Sequence, residues 1–227
     1  DLIKTFEPQR ARDFYYEWYR PELMAVIAIG DFEKENIVSL IKEHFSSLTN
    51  PTQARPREVY SVPLTTKDSV HFVTDTEETT TLLKVLFNHK AKPFRTHGDF
   101  RDDLILGMYL DLLNLRLSEI ALQKDPPFVA AGIYDDQLTP KNTQYTLAFI
   151  PLNDDFKRGF EAILTEIERV RQYGFLNSEL KRIKDDYLSY YQEIYDNRDD
   201  LDSTFFIEDF IDRFVSKEAI TSIVFDY

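Results

Sequence analysis

The stretch from Phe14 to Phe45 restricts the fold of this chain more than any other. Its aromatic segment Phe14–Tyr19 is predicted to end a helix, because Pro21 removes a backbone donor and disfavours helix in the residue before it. Met24–Ile29 is a short continuous apolar run closed by Gly30, which is typical of a strand buried on both faces of a sheet. Apolar residues at helical spacing then predict a second helix: Ile37, Leu40, Ile41 and Phe45. An α–β–α unit with so apolar a strand is expected to join a larger sheet.

The same stretch carries a family resemblance. Read as FYxxWYRPxxMxVxxxGDFxxExxxxLIxxxF, it resembles the M16 zinc metallopeptidases, the insulinase and pitrilysin family, and among them the bacterial PqqL-type members. The resemblance implies that this unit closes a first, zinc-bearing domain and leads through a linker into a second domain of similar fold. The zinc motif of that family, His-x-x-Glu-His, does not occur in the sequence. The resemblance therefore implies a fragment of a peptidase that lacks the zinc site.

A proline-rich segment separates two predicted domains. Pro51, Pro56 and Pro63 lie at a spacing that opposes both a helix and a central strand, which indicates an extended linker. We predict the tail of the first domain over residues 1–48, the linker over 49–68 and a second, non-catalytic domain over 69–227. Residues 223–227 are apolar and end the sequence, which predicts that this second domain is truncated at its carboxyl terminus.

The second domain is predicted to contain two hairpins and four helices. The strands are predicted over 69–75, 79–88, 128–134 and 143–150, and the helices over 100–120, 156–170, 177–194 and from 205 onward. Asp99 and Asn177 are predicted helix caps, and Gly107 is predicted to allow the long helix to approach the sheet closely.

This order of elements predicts an α+β fold, with an antiparallel-rich sheet and long helices packed on one face. The resemblance implies the same architecture, the LuxS/MPP-like metallohydrolase fold.

Two segments of the second domain extend the resemblance. Leu113–Glu119, LNLRLSE, resembles the N-x-R-L-x-E segment of the family, late in the long helix. Glu166-x-x-Arg169, followed by Gly174-Phe175 and Glu179-Leu180, resembles the E-x-x-R…GF…EL segment between two later helices.

Arg116 and Glu119 are the candidate structural or substrate-facing residues. They are neighbours on a helix, and a surface ion pair between them would contribute at most about 1 kcal/mol. Because the stretch around them is otherwise apolar, we predict instead that they are partly buried and fix how the long helix meets the next strand. Contact with substrate, or a role in domain closure, is the alternative.

Metal ligands and catalytic residues are not predicted in this chain. The four histidines are His44, His71, His89 and His97, and no two have the i, i+4 spacing that places both rings on one helix face. His89 and His97 flank Pro93, but the sequence places no carboxylate to complete a site with them. Neither a nucleophile elbow nor a glycine-rich phosphate loop is present.

The charge excludes several classes of partner. A formal net charge of −13 argues against a nucleic-acid surface and against binding to anionic membranes. If the chain faces a peptide, its long-range field favours neutral or basic ones. The absence of cysteine excludes disulfides and thiolate metal sites, and no apolar run approaches the roughly 18 residues of a membrane span.

From the resemblance, we expect a non-catalytic domain of an M16-type zinc metalloendopeptidase that helps to enclose and bind peptide substrate. The parent is expected to hydrolyse peptide bonds with a zinc-activated water and to lie in the periplasm or outside the cell, whereas this chain alone is predicted to be inactive and without cofactor. Its partners would be the rest of the peptidase, the substrate and, through the 14–45 unit, a second copy of itself. The alternative is a metal-free scaffold or peptide-binding subunit of the same fold.

Overall fold

The computed structural model of the chain describes residues 2–64, 67–218 and 222–223. The described residues form two compact units: one holds those up to Glu58 together with a segment that starts at Asp199, and the other runs from Val59 to Arg198. No helix among the described residues is long and apolar enough to cross a membrane.

The first unit is helical. Its helices are α1 (Leu2–Thr5), α2 (Pro8–Trp18), α3 (Lys34–Phe45) and, after the second unit, α7 (Thr204–Ser216). The second unit contains strands β1 (Leu83–Lys90), β2 (Phe128–Thr139) and β3 (Asn142–Pro151), and helices α4 (His97–Ala121), α5 (Phe156–Tyr173) and α6 (Asn177–Asp196). The helices predicted on either side of the apolar run are confirmed.

The strand predicted at Met24–Ile29 is wrong. The segment has no regular structure, and Met24, Val26 and Ile27 are 47%, 46% and 38% exposed. A strand exists only through hydrogen bonds to a neighbouring strand, and no described residue supplies that neighbour. Met24 at its start has β-region dihedral angles, but the segment belongs to no sheet among the described residues.

Arg20 anchors the linker within the first unit. Its side chain is buried, Nη1 donates to the Glu17 carbonyl at 2.8 Å and Nη2 donates to the carbonyl of Arg55. The guanidiniums of Arg20 and Arg55 lie 5.6 and 5.5 Å from the centre of the Trp18 ring, a distance at which cations are attracted to aromatic faces. The W-Y-R-P part of the sequence motif therefore holds the start of the proline-rich segment.

The second unit is built on an antiparallel sheet with the strand order β1-β3-β2. Leu83 and Ala131 flank Phe149, and Val85 and Ile133 flank Leu147 in the register. The hairpin predicted between the two later strands is confirmed, with both strands longer than predicted. The strand predicted over 79–88 begins at Leu83 rather than Thr79 and ends at Lys90.

The strand predicted at Ser69–Asp75 is wrong. Val70, Phe72 and Val73 are 79%, 90% and 93% exposed, and the segment pairs with no strand among the described residues. Alternating apolar residues indicate a strand with one buried face, but no described element covers that face here. The predicted first hairpin of the domain is therefore absent from the described residues, and residues 224–227 of the predicted truncated end lie outside them.

Helices α4 and α5 pack on one face of the sheet, as predicted, and α6 packs against α4. The buried core consists of Leu117 from α4, Ile163 from α5, and Phe128, Leu147 and Phe149 from the strands. Partly buried apolar residues surround it: Leu83, Val85, Ile120, Ala131, Ile133, Phe160 and Ile167. The sheet and helices form the two layers that such a core requires.

The helix caps differ slightly from the prediction. Thr96, not Asp99, caps α4: its hydroxyl accepts from the Asp99 N–H at 3.2 Å, and the Asp99 carboxylate accepts from the Thr96 N–H at 2.9 Å. This reciprocal pair is a capping box, whose acidic member stands three residues inside the helix. Helix α6 is capped at Leu176, one residue before the predicted Asn177.

Gly107 faces α6 rather than the sheet. A Cβ atom built on Gly107 would lie 2.9 Å from the Tyr187 hydroxyl oxygen. That hydroxyl donates to the Asp111 carboxylate at 2.8 Å. The glycine therefore allows α4 and α6 to approach each other closely. The close approach was predicted, but the element that approaches is α6 and not the sheet.

Candidate functional site

A cluster of charged side chains joins three helices of the second unit. Arg116 of α4 donates from Nε and Nη2 to the two carboxylate oxygens of Glu179 on α6, at 2.9 and 2.8 Å. Its Nη1 donates to Glu166 of α5 at 2.8 Å. Arg116 is 9% exposed and Glu166 is 5% exposed. A bidentate guanidinium–carboxylate pair has both the geometry and the charge assistance of a strong hydrogen bond, so the cluster fixes how α4, α5 and α6 lie together.

The α5–α6 connection is shaped to complete this cluster. Gly174 ends α5 with φ 68°, and its N–H donates to the Val170 carbonyl at 2.8 Å. A glycine at this position adopts positive φ without a steric penalty. The chain then reverses so that the Phe175 ring lies 5.0 Å from the Arg116 guanidinium carbon, where the face of the ring attracts the cation.

Glu179 also starts α6. One of its carboxylate oxygens accepts from the Leu176 N–H at 2.6 Å. The hydrogen bonds from Arg116 lower the pKa of Glu179 to about 2.

The depressed pKa of Glu179 predicts a pH dependence of stability. A carboxyl group whose pKa is lower in the folded state stabilises the fold above its unfolded pKa, and this contribution is lost as pH falls toward the folded value. We therefore expect wild type to be more stable than Glu179→Gln at pH 6, and this difference to shrink between about pH 4.5 and about pH 2. Urea unfolding at a series of pH values measures it, and a pH-independent difference would contradict it.

The second candidate residue, Glu119, does not pair with Arg116. Glu119 is exposed and lines a cleft of about 470 Å³, whose floor contains Arg116, Glu166 and Glu179. Sequence reasoning paired Arg116 with its neighbour on the helix, whereas its partners stand 50 and 63 residues later. Both partners belong to the second motif segment, so the motifs contained the signal that the two segments meet.

The other residues of the first motif segment also have structural contacts. Asn114 donates from Nδ2 to the Ile133 carbonyl at 2.9 Å and accepts from the Ile133 N–H at 2.8 Å. These bonds satisfy the backbone of β2, which lies at an edge of the described sheet. Leu117 is completely buried in the core. One helix segment therefore supplies an edge contact, a buried cation, a core residue and a side chain of the cleft.

The histidines do not assemble into a metal site within the described residues. His89 of β1 lies 3.3 Å from a carboxylate oxygen of Asp135 and stacks on Tyr145 with ring centres 4.3 Å apart. No three His, Cys, Asp or Glu side chains in the described ranges are grouped so that they would hold a metal ion. The described residues therefore do not fit a zinc ion.

The sequence model of the family described as "Peptidase M16 inactive domain" matches residues 5–187. The chain belongs to this family. The match spans both motif segments up to Glu179 and the stretch from Phe14 to Phe45, so the resemblance stated from sequence is confirmed.

The relatives of this M16 domain are much longer proteins. It is 26% identical over 226 residues to "Zinc protease PQQL-like" of Arabidopsis thaliana, which covers 99% of the chain and 21% of that protein. It is 25% identical over 181 residues to "Probable zinc protease PqqL" of Haemophilus influenzae, covering 79% of the chain and 20% of that protein. The chain thus spans about a fifth of the length of these curated relatives.

A solved structure has the same fold. The crystal structure of the periplasmic protease PqqL from Escherichia coli matches with a TM-score of 0.82 and 20% identity, over 98% of the chain and 25% of that protein. The α+β fold class of the M16 domain, with its antiparallel sheet, is therefore confirmed.

Proposed function

We propose that this chain is the tail of a zinc-bearing domain and the adjoining non-catalytic domain of an M16-type metalloendopeptidase, and that it helps to enclose and bind the peptide substrate. The observation that carries the proposal is the match of an inactive-domain family across residues 5–187, in a chain about a fifth as long as relatives named as zinc proteases. The boundaries proposed are 1–48 for the tail, 49–68 for the linker and 69–227 for the non-catalytic domain.

The Arg116 cluster supports a rigid role for the second domain. It ties three helices together through charge-assisted hydrogen bonds at 2.8–2.9 Å. A wall that positions a peptide for a distant catalytic site requires such fixed elements. We propose that Arg116 holds this wall and that Glu119, at the open side of the same cleft, faces the substrate.

The experiment that tests this function uses the purified chain after chelation and reloading with zinc. A pool of short fluorescein-labelled peptides of random sequence should bind, which raises their fluorescence anisotropy. The same peptides with a quencher should stay uncleaved, and elemental analysis should find no stoichiometric zinc. Cleavage, a stoichiometric metal or unchanged anisotropy would each contradict the proposal.

A metal-free scaffold or peptide-binding subunit of the same fold is the alternative. The coding sequence upstream of Asp1 separates the two proposals. A His-x-x-Glu-His motif encoded there supports a parent zinc peptidase, and its absence supports the scaffold. For the parent we propose a location in the periplasm or outside the cell, because the structural relative PqqL of Escherichia coli is a periplasmic protease.

We also propose that the isolated chain associates with itself through the 14–45 unit. Exposed apolar side chains support this: Phe14 is 58%, Tyr16 73% and Met24 47% exposed. An extended segment with unpaired backbone groups is a template for pairing with another chain.

This association predicts that the apparent mass rises with concentration in light scattering. Val26→Asp places a charge in the exposed apolar segment and should shift the chain toward monomer, since burying an unpaired charge is costly. Val70→Asp is the matched control, because Val70 is also exposed but lies outside the 14–45 unit. A wild-type chain that stays monomeric at all concentrations would contradict the proposal.

A further inference from the structure

We propose that the cleft beside Arg116 binds the cationic side chain of a peptide, an arginine or a lysine, with Glu119 as its carboxylate partner. This inference rests on the proposed peptide-binding function and specifies the chemical class of side chain that the site selects.

The cleft is large enough to admit a long side chain, and it lies at the surface where a peptide can reach it. Its volume is about 470 Å³, within the range of about 300–1,000 Å³ typical of ligand pockets. It lies beside the last turns of α4 and α5. Glu119 and Ile120 from the end of α4, Gln123 just after it, and Arg169 and Tyr173 from the end of α5 line it.

The fixed charges around the cleft leave one carboxylate in excess. The guanidinium of Arg116 is committed to Glu166 and Glu179 through three hydrogen bonds. The second oxygen of Glu166 lies 3.4 Å from Arg169. Neither arginine pairs with the third carboxylate of the lining, Glu119. The two arginines balance the charges of Glu166 and Glu179, so the charge of Glu119 is in excess. The lining therefore contains three carboxylates and two arginines, so a cation that enters the cleft meets a surplus negative charge at the exposed Glu119.

The helix ends around the cleft also favour a cation. The last carbonyls of a helix lack intrahelical partners and carry partial negative charge, and both α4 and α5 end beside this cleft. Helix α6 begins at the same place, but Glu179 already accepts from the Leu176 N–H at its start. The positive end of α6 is therefore compensated. Arg171 lies in the last turn of α5, whereas the last turn of α4 contains no basic residue, so the negative end of α4 is the one that favours a cation.

The rim suits the aliphatic stem of a long basic side chain. Tyr173 and Leu176 line the cleft and are 79% and 64% exposed. Arginine and lysine bury their methylene groups against apolar surfaces while their charged ends contact polar groups, and the face of a tyrosine ring attracts a guanidinium.

The test compares two blocked peptides, acetyl-Ala-Ala-Arg-Ala-Ala-amide and its counterpart with citrulline, which has nearly the shape of arginine without its charge. Each is titrated into the ¹⁵N-labelled 227-residue chain. We expect the arginine peptide to shift the resonances of Gly174 and Gln123 and to bind about fivefold more tightly than the citrulline peptide. Glu119→Gln should abolish this preference.

Glu161→Gln is the matched control, because Glu161 is an exposed carboxylate of α5 that does not line the cleft. This variant should keep the preference for arginine. Equal binding of both peptides, an unchanged preference in Glu119→Gln, or shifts confined to other regions would overturn the cleft assignment while leaving peptide binding intact. If neither peptide binds, both this inference and the proposed function are overturned.

Discussion

Arg116→Met should lower the free energy of unfolding of the chain by about 3–5 kcal/mol. The substitution keeps most of the aliphatic stem but removes the cation that pairs with Glu166 and Glu179. Glu166 is 5% exposed, so its charge would remain buried with only the 3.4 Å contact to Arg169. Removing one partner of a buried pair is costly because the other charge loses both water and its counter-ion. Urea unfolding followed by circular dichroism measures the effect.

Arg171→Met is the matched control for this prediction. Arg171 also makes two charge-assisted hydrogen bonds, both at 2.7 Å to Glu168, but its side chain is 72% exposed. Exposed pairs contribute about 0–1 kcal/mol, so this variant should be close to wild type. The double variant Arg116→Met with Glu166→Gln should lose less stability than Arg116→Met alone, because it leaves no buried charge on α5. If Arg116→Met and Arg171→Met unfold at the same urea concentration, the cluster does not hold the three helices.

The local elements of the second unit were predictable because their signals are local. The apolar residues at helical spacing in α5 and the glycine that ends the helix lie within one continuous stretch of sequence. The structure has this helix from Phe156 to Tyr173, with Gly174 at its end. The later hairpin was equally clear, since a turn-forming segment stands between two apolar runs. The predicted caps of α4 and α6 differ from the observed ones by three residues and by one residue. Several polar residues near Thr96 are suitable caps, so the sequence does not single one out.

The two wrong strands share one physical cause. Met24–Ile29 and Ser69–Asp75 have the composition of strands, but a strand requires hydrogen bonds from a neighbour that its own sequence does not specify. Neither segment pairs with a strand among the described residues. Membership of the M16 inactive-domain family does not depend on them, because the family match covers residues 5–187 as a whole.

The partner of Arg116 could not be derived from spacing alone. Helical periodicity identifies residues on one helix face, and it suggested Glu119 three positions away. Glu166 and Glu179 reach Arg116 only because α5 and α6 pack beside α4, which is a property of the fold. The two motif segments contain Arg116, Glu166 and Glu179, so the sequence identified all three residues. Only the structure shows that Arg116 binds the two glutamates.

Gly159→Ala should destabilise the chain by about 1–3 kcal/mol, although alanine is the better helix former. Gly159 is buried in α5, and a Cβ atom there would lie 2.6 Å from Cε2 of Phe149 and 3.3 Å from the carbonyl oxygen of Pro127. Phe149 is 1% exposed and stacks on Phe160 with ring centres 6.5 Å apart. Because this ring is part of the buried core, the added methyl group must displace core atoms.

Gly98→Ala separates this clash from helix propensity. A Cβ atom on Gly98 of α4 would lie 3.6 Å from the Thr96 hydroxyl, an ordinary contact, so this variant should be as stable as wild type or gain up to about 1 kcal/mol. Phe149→Leu removes ring atoms next to Gly159, and Gly159→Ala should therefore cost less in that background than in wild type. Such coupling is expected for residues in direct contact. Equal costs in the two backgrounds, measured by urea unfolding, would mean that α5 does not press against Phe149 at Gly159, and that helix and sheet are not packed at this distance.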